Sequence, residues 1–193
     1  MKIIVINKRK LQVIIVAIIL MTVIFGTGQI LEGHIKSVSF IQNNISSLKE
    51  YTALDGVLTY KLPSEWSSKT QSFPGNEIVY HNDFQSNDFV INGFVQVWNI
   101  KNDLKDFLIK SKEVSEKQNI IRNYKMNDIK INNRKGYSIK YNMLVNNTSY
   151  TVYEYFLKNN NQFIRVSFFI KSENFKESFV ALFESIVKTV ETK

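Results

Sequence analysis

The sequence predicts an α+β domain, an antiparallel sheet packed by helices, behind one membrane-spanning helix. Three observations carry this reading. Between Tyr124 and Ile170 lie four runs rich in Tyr, Val, Ile, Phe and Thr, separated by clustered asparagines. Two further runs, beginning near Asp103 and Asn174, place apolar residues at helical spacing. Leu11–Leu31 contains no charged residue and, at about 1.5 Å per residue, reaches roughly 30 Å, the thickness of bilayer hydrocarbon.

Four segments follow in order: a basic tag (1–10), the anchor (11–31), a juxtamembrane helix or spacer (32–55) and a folded domain (56–193). Lys2, Lys8, Arg9 and Lys10 precede the anchor without any acid, so the N-terminus is expected in the cytoplasm and the domain outside it. A cleaved secretory signal is the alternative, with Val13–Leu20 as its apolar core, but no A-x-A site follows. Val38, Ile41, Ile45 and Leu48 fall on one helical face and also fit a short heptad pattern. The juxtamembrane segment is therefore expected to be a helix that spaces the domain from the bilayer, or a weak homodimer contact.

Leu54-Asp55-Gly56 reads as a turn and as the start of the domain. Val57–Leu62 alternates as a half-buried strand, ended by Pro63, and Trp66 is expected to cover one end of the core. Short strands are expected over Trp66–Thr70 and Ile78–His81, with a turn at Phe73-Pro74-Gly75-Asn76 between them and a polar loop, Asn82–Asp88, after them. Phe89–Ile100 is apolar on both alternation sets, the pattern of a strand inside a sheet, and Gly93 marks a bulge or a close backbone approach. Asn102 or Asp103 then caps a helix whose inner stripe is Leu104, Phe107, Leu108 and Ser111.

The four runs Tyr124–Ile131, Arg134–Val145, Thr148–Leu157 and Gln162–Ile170 read as a meander, because asparagine tolerates the left-handed turns of tight hairpins. Asn174 with Glu177 three positions later matches a capping box. Phe175, Phe179, Leu182, Phe183, Ile186 and Val190 form the apolar stripe of the closing helix. Each such side chain contributes about 1.5–3 kcal/mol when buried, so this helix is expected to be a principal core element.

Composition narrows the function classes. There is no cysteine, so neither a disulfide framework nor thiolate chemistry is available. The formal charge is +8, but four of the basic residues lie in the tag, and those of the remainder are scattered. That argues against nucleic acid and is compatible with an anionic envelope component or lipid head groups as partner.

Tyr60–Trp66 (YKLPSEW), Gly93–Trp98 (GFVQVW) with its following helix, the meander, and Phe175–Val190 (FKESFVALFESIVKTV) together resemble the PsbP-like family, over about Val57–Val190. The resemblance implies an antiparallel sheet of about six strands between helices, an α/β/α sandwich. It does not imply photosynthesis, since the family includes many non-photosynthetic members, and no metal or partner site of the plant proteins maps onto residues of this chain.

Catalytic groups do not converge in the sequence. His34 and His81 are the only histidines, and His81 with Asp83, two residues apart near a strand end, is the sole support for a hydrolase reading. Asp103 and Asp106 resemble paired carboxylates but fall in a helix's first turn, where the helix dipole favours negative charge. No phosphate loop, G-x-S-x-G elbow or H-E-x-x-H occurs, and no metal or cofactor is expected. The expectation is a non-enzymatic domain that binds an envelope protein or surface component. The alternative is a small-ligand or lipid-binding module with a pocket between sheet and helices lined by Trp66, Tyr80 and Trp98.

Overall fold

The structure is a computed structural model that describes residues 47–100, 103–118 and 120–193. The tag, the expected anchor and nearly all of the juxtamembrane heptad pattern lie outside the described residues. Among those described, no helix is long and apolar enough to cross a membrane.

Ten strands and two helices make up the described chain: β1 (Leu48–Ala53), β2 (Leu58–Pro63), β3 (Ser67–Gln71), β4 (Ile78–Gln85), β5 (Asn92–Asn99), α1 (Leu104–Gln118), β6 (Ile120–Ile131), β7 (Arg134–Val145), β8 (Thr148–Asn159), β9 (Gln162–Lys171), α2 (Ser178–Lys188) and β10 (Glu191–Thr192). They form a seven-stranded antiparallel sheet, β3-β4-β5-β9-β8-β7-β6, and a three-stranded sheet, β1-β2-β10. The class is α+β as expected, but with two sheets rather than one of about six strands.

Turn chemistry sets the meander. Asn132 and Asn133, at φ 49° and 63°, close β6 onto β7, and Asn146 and Asn147, at 46° and 61°, close β7 onto β8. Two consecutive left-handed residues are what a two-residue hairpin needs, and asparagine occupies that region at low cost. Asn160, at φ 51°, turns β8 onto β9. Leu54, Asp55 and Gly56 turn β1 into β2, also at positive φ.

The helices lie on opposite faces of the large sheet. On one face, Phe183 of α2 stacks on Phe168 at 4.1 Å and meets Tyr153 at 5.8 Å. Val95, Val97, Ile164 and Val166 are fully buried there. On the other face, Leu104 and Leu108 of α1 pack with Tyr137, Ile139, Phe156 and Phe163. β5 is therefore covered on both sides, as its double apolar alternation predicts. Gly93 is a close approach rather than a bulge: a Cβ there would stand 2.1 Å from the Ser167 carbonyl and 2.5 Å from the Phe84 ring.

Three local expectations are corrected, and the end of α1, which the sequence left open, is fixed. Leu48–Ala53 is a strand paired with β2, so the domain begins before the Asp55-Gly56 turn and this part of the juxtamembrane segment is not helical. β4 runs on to Gln85 through the stretch read as polar loop, because Asn82 and Asp83 pair across to Val95 and Phe94. α1 continues to Gln118 although Val114 is exposed. Asn174 does not cap α2. It ends a short 3-10 turn, and α2 begins at Ser178 with no side-chain cap, while Glu177 lies 3.7 Å from Lys140.

Candidate functional site

Strand parity decides which side chains meet. Tyr80 stands opposite Val97 and so faces the α2 side of the large sheet, one position out of phase with Trp98. There its hydroxyl meets that of Tyr60 at 2.8 Å. Trp66 is buried on the same side, stacked on Phe84 at 5.5 Å, where it covers one end of the core as expected. Trp98 pairs with Phe163 on the α1 side, stacked at 6.0 Å, with Phe107 of α1 at 5.9 Å. Trp66, Tyr80 and Trp98 therefore do not line one pocket, since the sheet separates the first two from the third. Of the three, Trp98 alone borders an open cleft between sheet and helix.

That cleft, about 780 Å³, lies between the β3–β4 turn (Gly75, Asn76, Glu77), the end of β5 (Trp98, Asn99, Ile100) and α1 (Phe107, Lys110). Backbone pairing holds the turn in place: Asn99 N donates to the Glu77 carbonyl at 2.8 Å, and Asn99 Nδ2 donates to the Asn76 carbonyl at 2.7 Å. Asp103 starts the helical wall by accepting the Lys105 amide at 2.8 Å, an N-cap bond that satisfies a first-turn donor. Lys158 Nζ at 2.8 Å, with that amide, holds the Asp103 carboxyl below the usual carboxylate range. Asp103 and Asp106 thus both lie at the start of α1, Asp103 as its cap and Asp106 in its first turn.

Behind Trp98 runs a chain of polar side chains. Trp98 Nε1 donates to Gln96 Oε1 at 2.8 Å, and Gln96 Nε2 lies 2.7 Å from His81 Nδ1. His81 Nε2 lies 2.7 Å from Asp83 Oδ1, and Gln71 bonds the other Asp83 oxygen. An amide that accepts from the indole must offer its NH₂ to the histidine, so His81 accepts at Nδ1 and donates from Nε2. His81 is buried between Phe73 and Phe94, at 5.0 and 5.3 Å. Both of its nitrogens are engaged by neighbouring side chains.

Sequence reasoning missed a second polar element on this face. Glu154, only 5 % exposed, is bound by Arg165 and accepts from Ser167 Oγ at 3.0 Å. Arg165 lies over the Phe94 and Phe156 rings at 4.9 and 5.5 Å. The pair sits at the back of a small cavity of about 80 Å³ with Tyr124 and Tyr141, whose hydroxyls are both pushed to higher pKa, first by burial and then by the Glu154 charge. No group of three His, Cys, Asp or Glu suited to a metal ion occurs among the described residues.

No protein-family model matches the sequence, and no curated protein does. Solved structures do match. The solution structure of cyanobacterial PsbP (CyanoP) from Synechocystis sp. PCC 6803 is similar at TM-score 0.60 and 13 % identity, over 76 % of this chain and 93 % of that one. A crystal structure from Bacteroides thetaiotaomicron is similar at TM-score 0.53 and 14 % identity, over 75 % of this chain and 48 % of that one. The fold is PsbP-like, as the resemblance in YKLPSEW, GFVQVW and the closing helix implies.

Proposed function

We propose that this PsbP-like chain is a non-enzymatic binding domain, held outside the cytoplasm by one N-terminal membrane anchor. The anchoring half of the reading is supported by the charge-free run Leu11–Leu31 and the acid-free basic residues before it. The binding half is supported above all by the cleft beside Trp98, whose volume falls in the range of small-ligand sites and whose floor is aromatic. The side chains best suited to catalysis, His81 and Glu154, are instead taken up by neighbours. Of the two kinds of occupant, a partner protein and a small molecule, a concave cleft bounded by a turn and a helix favours the small molecule.

The test is topological. Cells expressing the chain with a C-terminal epitope tag are treated with protease after the outer layers are opened, and their membranes are washed with alkaline carbonate. The domain is expected to be digested from outside and, without protease, to stay in the carbonate-washed pellet. A freely soluble product, or a domain protected until the cells are lysed, overturns the reading.

A further inference from the structure

Two charged side chains border the Trp98 cleft from opposite walls, Glu77 at the end of the β3–β4 turn and Lys110 on α1. Neither has an ion-pair or side-chain hydrogen-bond partner among the described residues. The contrast with their neighbours is informative. Asp103, on the same helical wall, is paired with Lys158, and Lys112, two residues beyond Lys110, is paired with Glu116. Between the two charges the surface is apolar, formed by Trp98, Ile100 and Phe107.

From this arrangement we infer that the cleft binds a short peptide with free termini and an apolar side chain. The peptide's ammonium group would face Glu77, its carboxylate Lys110, and its side chain the Trp98–Phe107 floor. The charge pattern selects this class. A purely apolar ligand would bury or crowd two unpaired charges, an anion alone would leave Glu77 opposed, and a cation alone would leave Lys110 opposed. A zwitterion with an apolar body complements all three parts. The volume of about 780 Å³ lies within the range that houses drug-sized molecules and so has room for a dipeptide. The Asn99 bonds to the Asn76 and Glu77 carbonyls tie the backbone of the acidic wall to β5.

The inference rests on the binding-domain reading and names its ligand. Its test uses the full chain in lipid nanodiscs, labelled with 5-fluorotryptophan. The chain has two tryptophans, and Trp66 lies on the other side of the sheet, so it serves as an internal control. Titration with the dipeptide Phe-Leu is expected to shift the Trp98 fluorine resonance saturably and leave that of Trp66 in place. N-acetylation or C-terminal amidation of the peptide is each expected to weaken binding at least fivefold. Glu77→Gln is expected to remove the penalty for acetylation only, and Lys110→Gln the penalty for amidation only. A doubly blocked peptide that binds as well as the free one overturns the inference, as does an unmoved Trp98 resonance at millimolar peptide. Neither result bears on anchoring, which is measured by membrane retention and protease exposure without peptide.

Discussion

The hydroxyls of Tyr60 and Tyr80 meet at 2.8 Å and join the three-stranded sheet to the seven-stranded one. Burial pushes both phenols above their ordinary pKa, and Tyr124 is pushed up to about 12. A raised value in the folded state means that the folded chain keeps its protons where the unfolded chain has lost them. The contribution of these groups is therefore complete below about pH 10 and declines as pH rises toward the folded values. Denaturant midpoints are expected to fall steeply above pH 10. Absorbance at 295 nm should show these tyrosines ionising only as the domain unfolds. Tyr60→Phe is expected to cost about 1 kcal/mol at neutral pH, for the lost hydrogen bond, and to flatten the alkaline decline.

Glu154 and Arg165 form a buried pair with unequal exposure, 6 % and 25 % for the two side chains. Removing one partner leaves the other charge in a poorly hydrated site, whereas removing both removes the problem. Arg165→Met is expected to destabilise the domain by about 3–5 kcal/mol. Glu154→Leu in the same chain should restore much of that loss. A double-mutant cycle by urea denaturation measures both, and additive effects would show that the two charges are not coupled.

Gly93 has no room for a methyl group, since the Ser167 carbonyl and the Phe84 ring already occupy the position a Cβ would take. Gly93→Ala is expected to destabilise by about 1–3 kcal/mol or more, because one atom stands on a neighbouring strand's backbone and cannot swing aside. Phe84→Leu in the same chain relieves only the ring contact, so it should recover only part of the loss. Thermal melts of the single and double variants separate the two contacts.

How much of this was legible in the sequence depended on the range of the interactions. The paired asparagines at 132–133 and 146–147 are local signals for local turns, and both hairpins form where they predict. The stripe Phe179, Leu182, Phe183 and Ile186 is likewise local, and all four are buried. Leu48–Ala53 misleads because its apolar spacing extends a helical pattern, while its strand conformation depends on pairing with β2 and on Tyr51 stacking against Tyr60 at 5.4 Å. Glu191–Thr192 is a strand only because β2 offers it an edge. The site was harder still. That Tyr80 and Trp98 face opposite ways follows from a register offset by one residue, with an irregularity between Ile78 and Tyr80, and no composition reveals that. The Glu154–Arg165 contact crosses a hairpin between two strands whose apolar residues dominate the pattern.

Asp103 gives the acid-side counterpart of the tyrosine effect. Its carboxyl is held below the ordinary value of 3.8 by Lys158 and then by the Lys105 amide. A depressed folded value contributes stability that is present above the unfolded pKa and is lost as pH falls through the folded one. Asp103→Asn keeps an oxygen for the cap but loses the charge facing Lys158. The variant is expected to be slightly less stable at neutral pH and to match the parent at the acid end of a denaturation series. Raising salt should shrink the difference at neutral pH, because the pair is exposed.

Phe89 occupies the left-handed region at φ 58° and is 72 % exposed, in the loop between β4 and β5. The loop is held by its own polar groups. The Ser86 hydroxyl donates to Asp88 at 2.6 Å and accepts the Ile91 amide at 2.9 Å, and Asp88 accepts the Val90 amide at 3.1 Å. None of these bonds uses the Phe89 side chain, yet together they fix a backbone that a bulky residue adopts only at a cost of about 1–2 kcal/mol. Asparagine tolerates that region far better and would leave every loop bond intact. Phe89→Asn is therefore expected to stabilise the domain by up to about 1 kcal/mol, measured as a higher urea midpoint at unchanged slope. A lower midpoint would mean that the exposed ring contributes more contact with its surroundings than its 72 % exposure indicates.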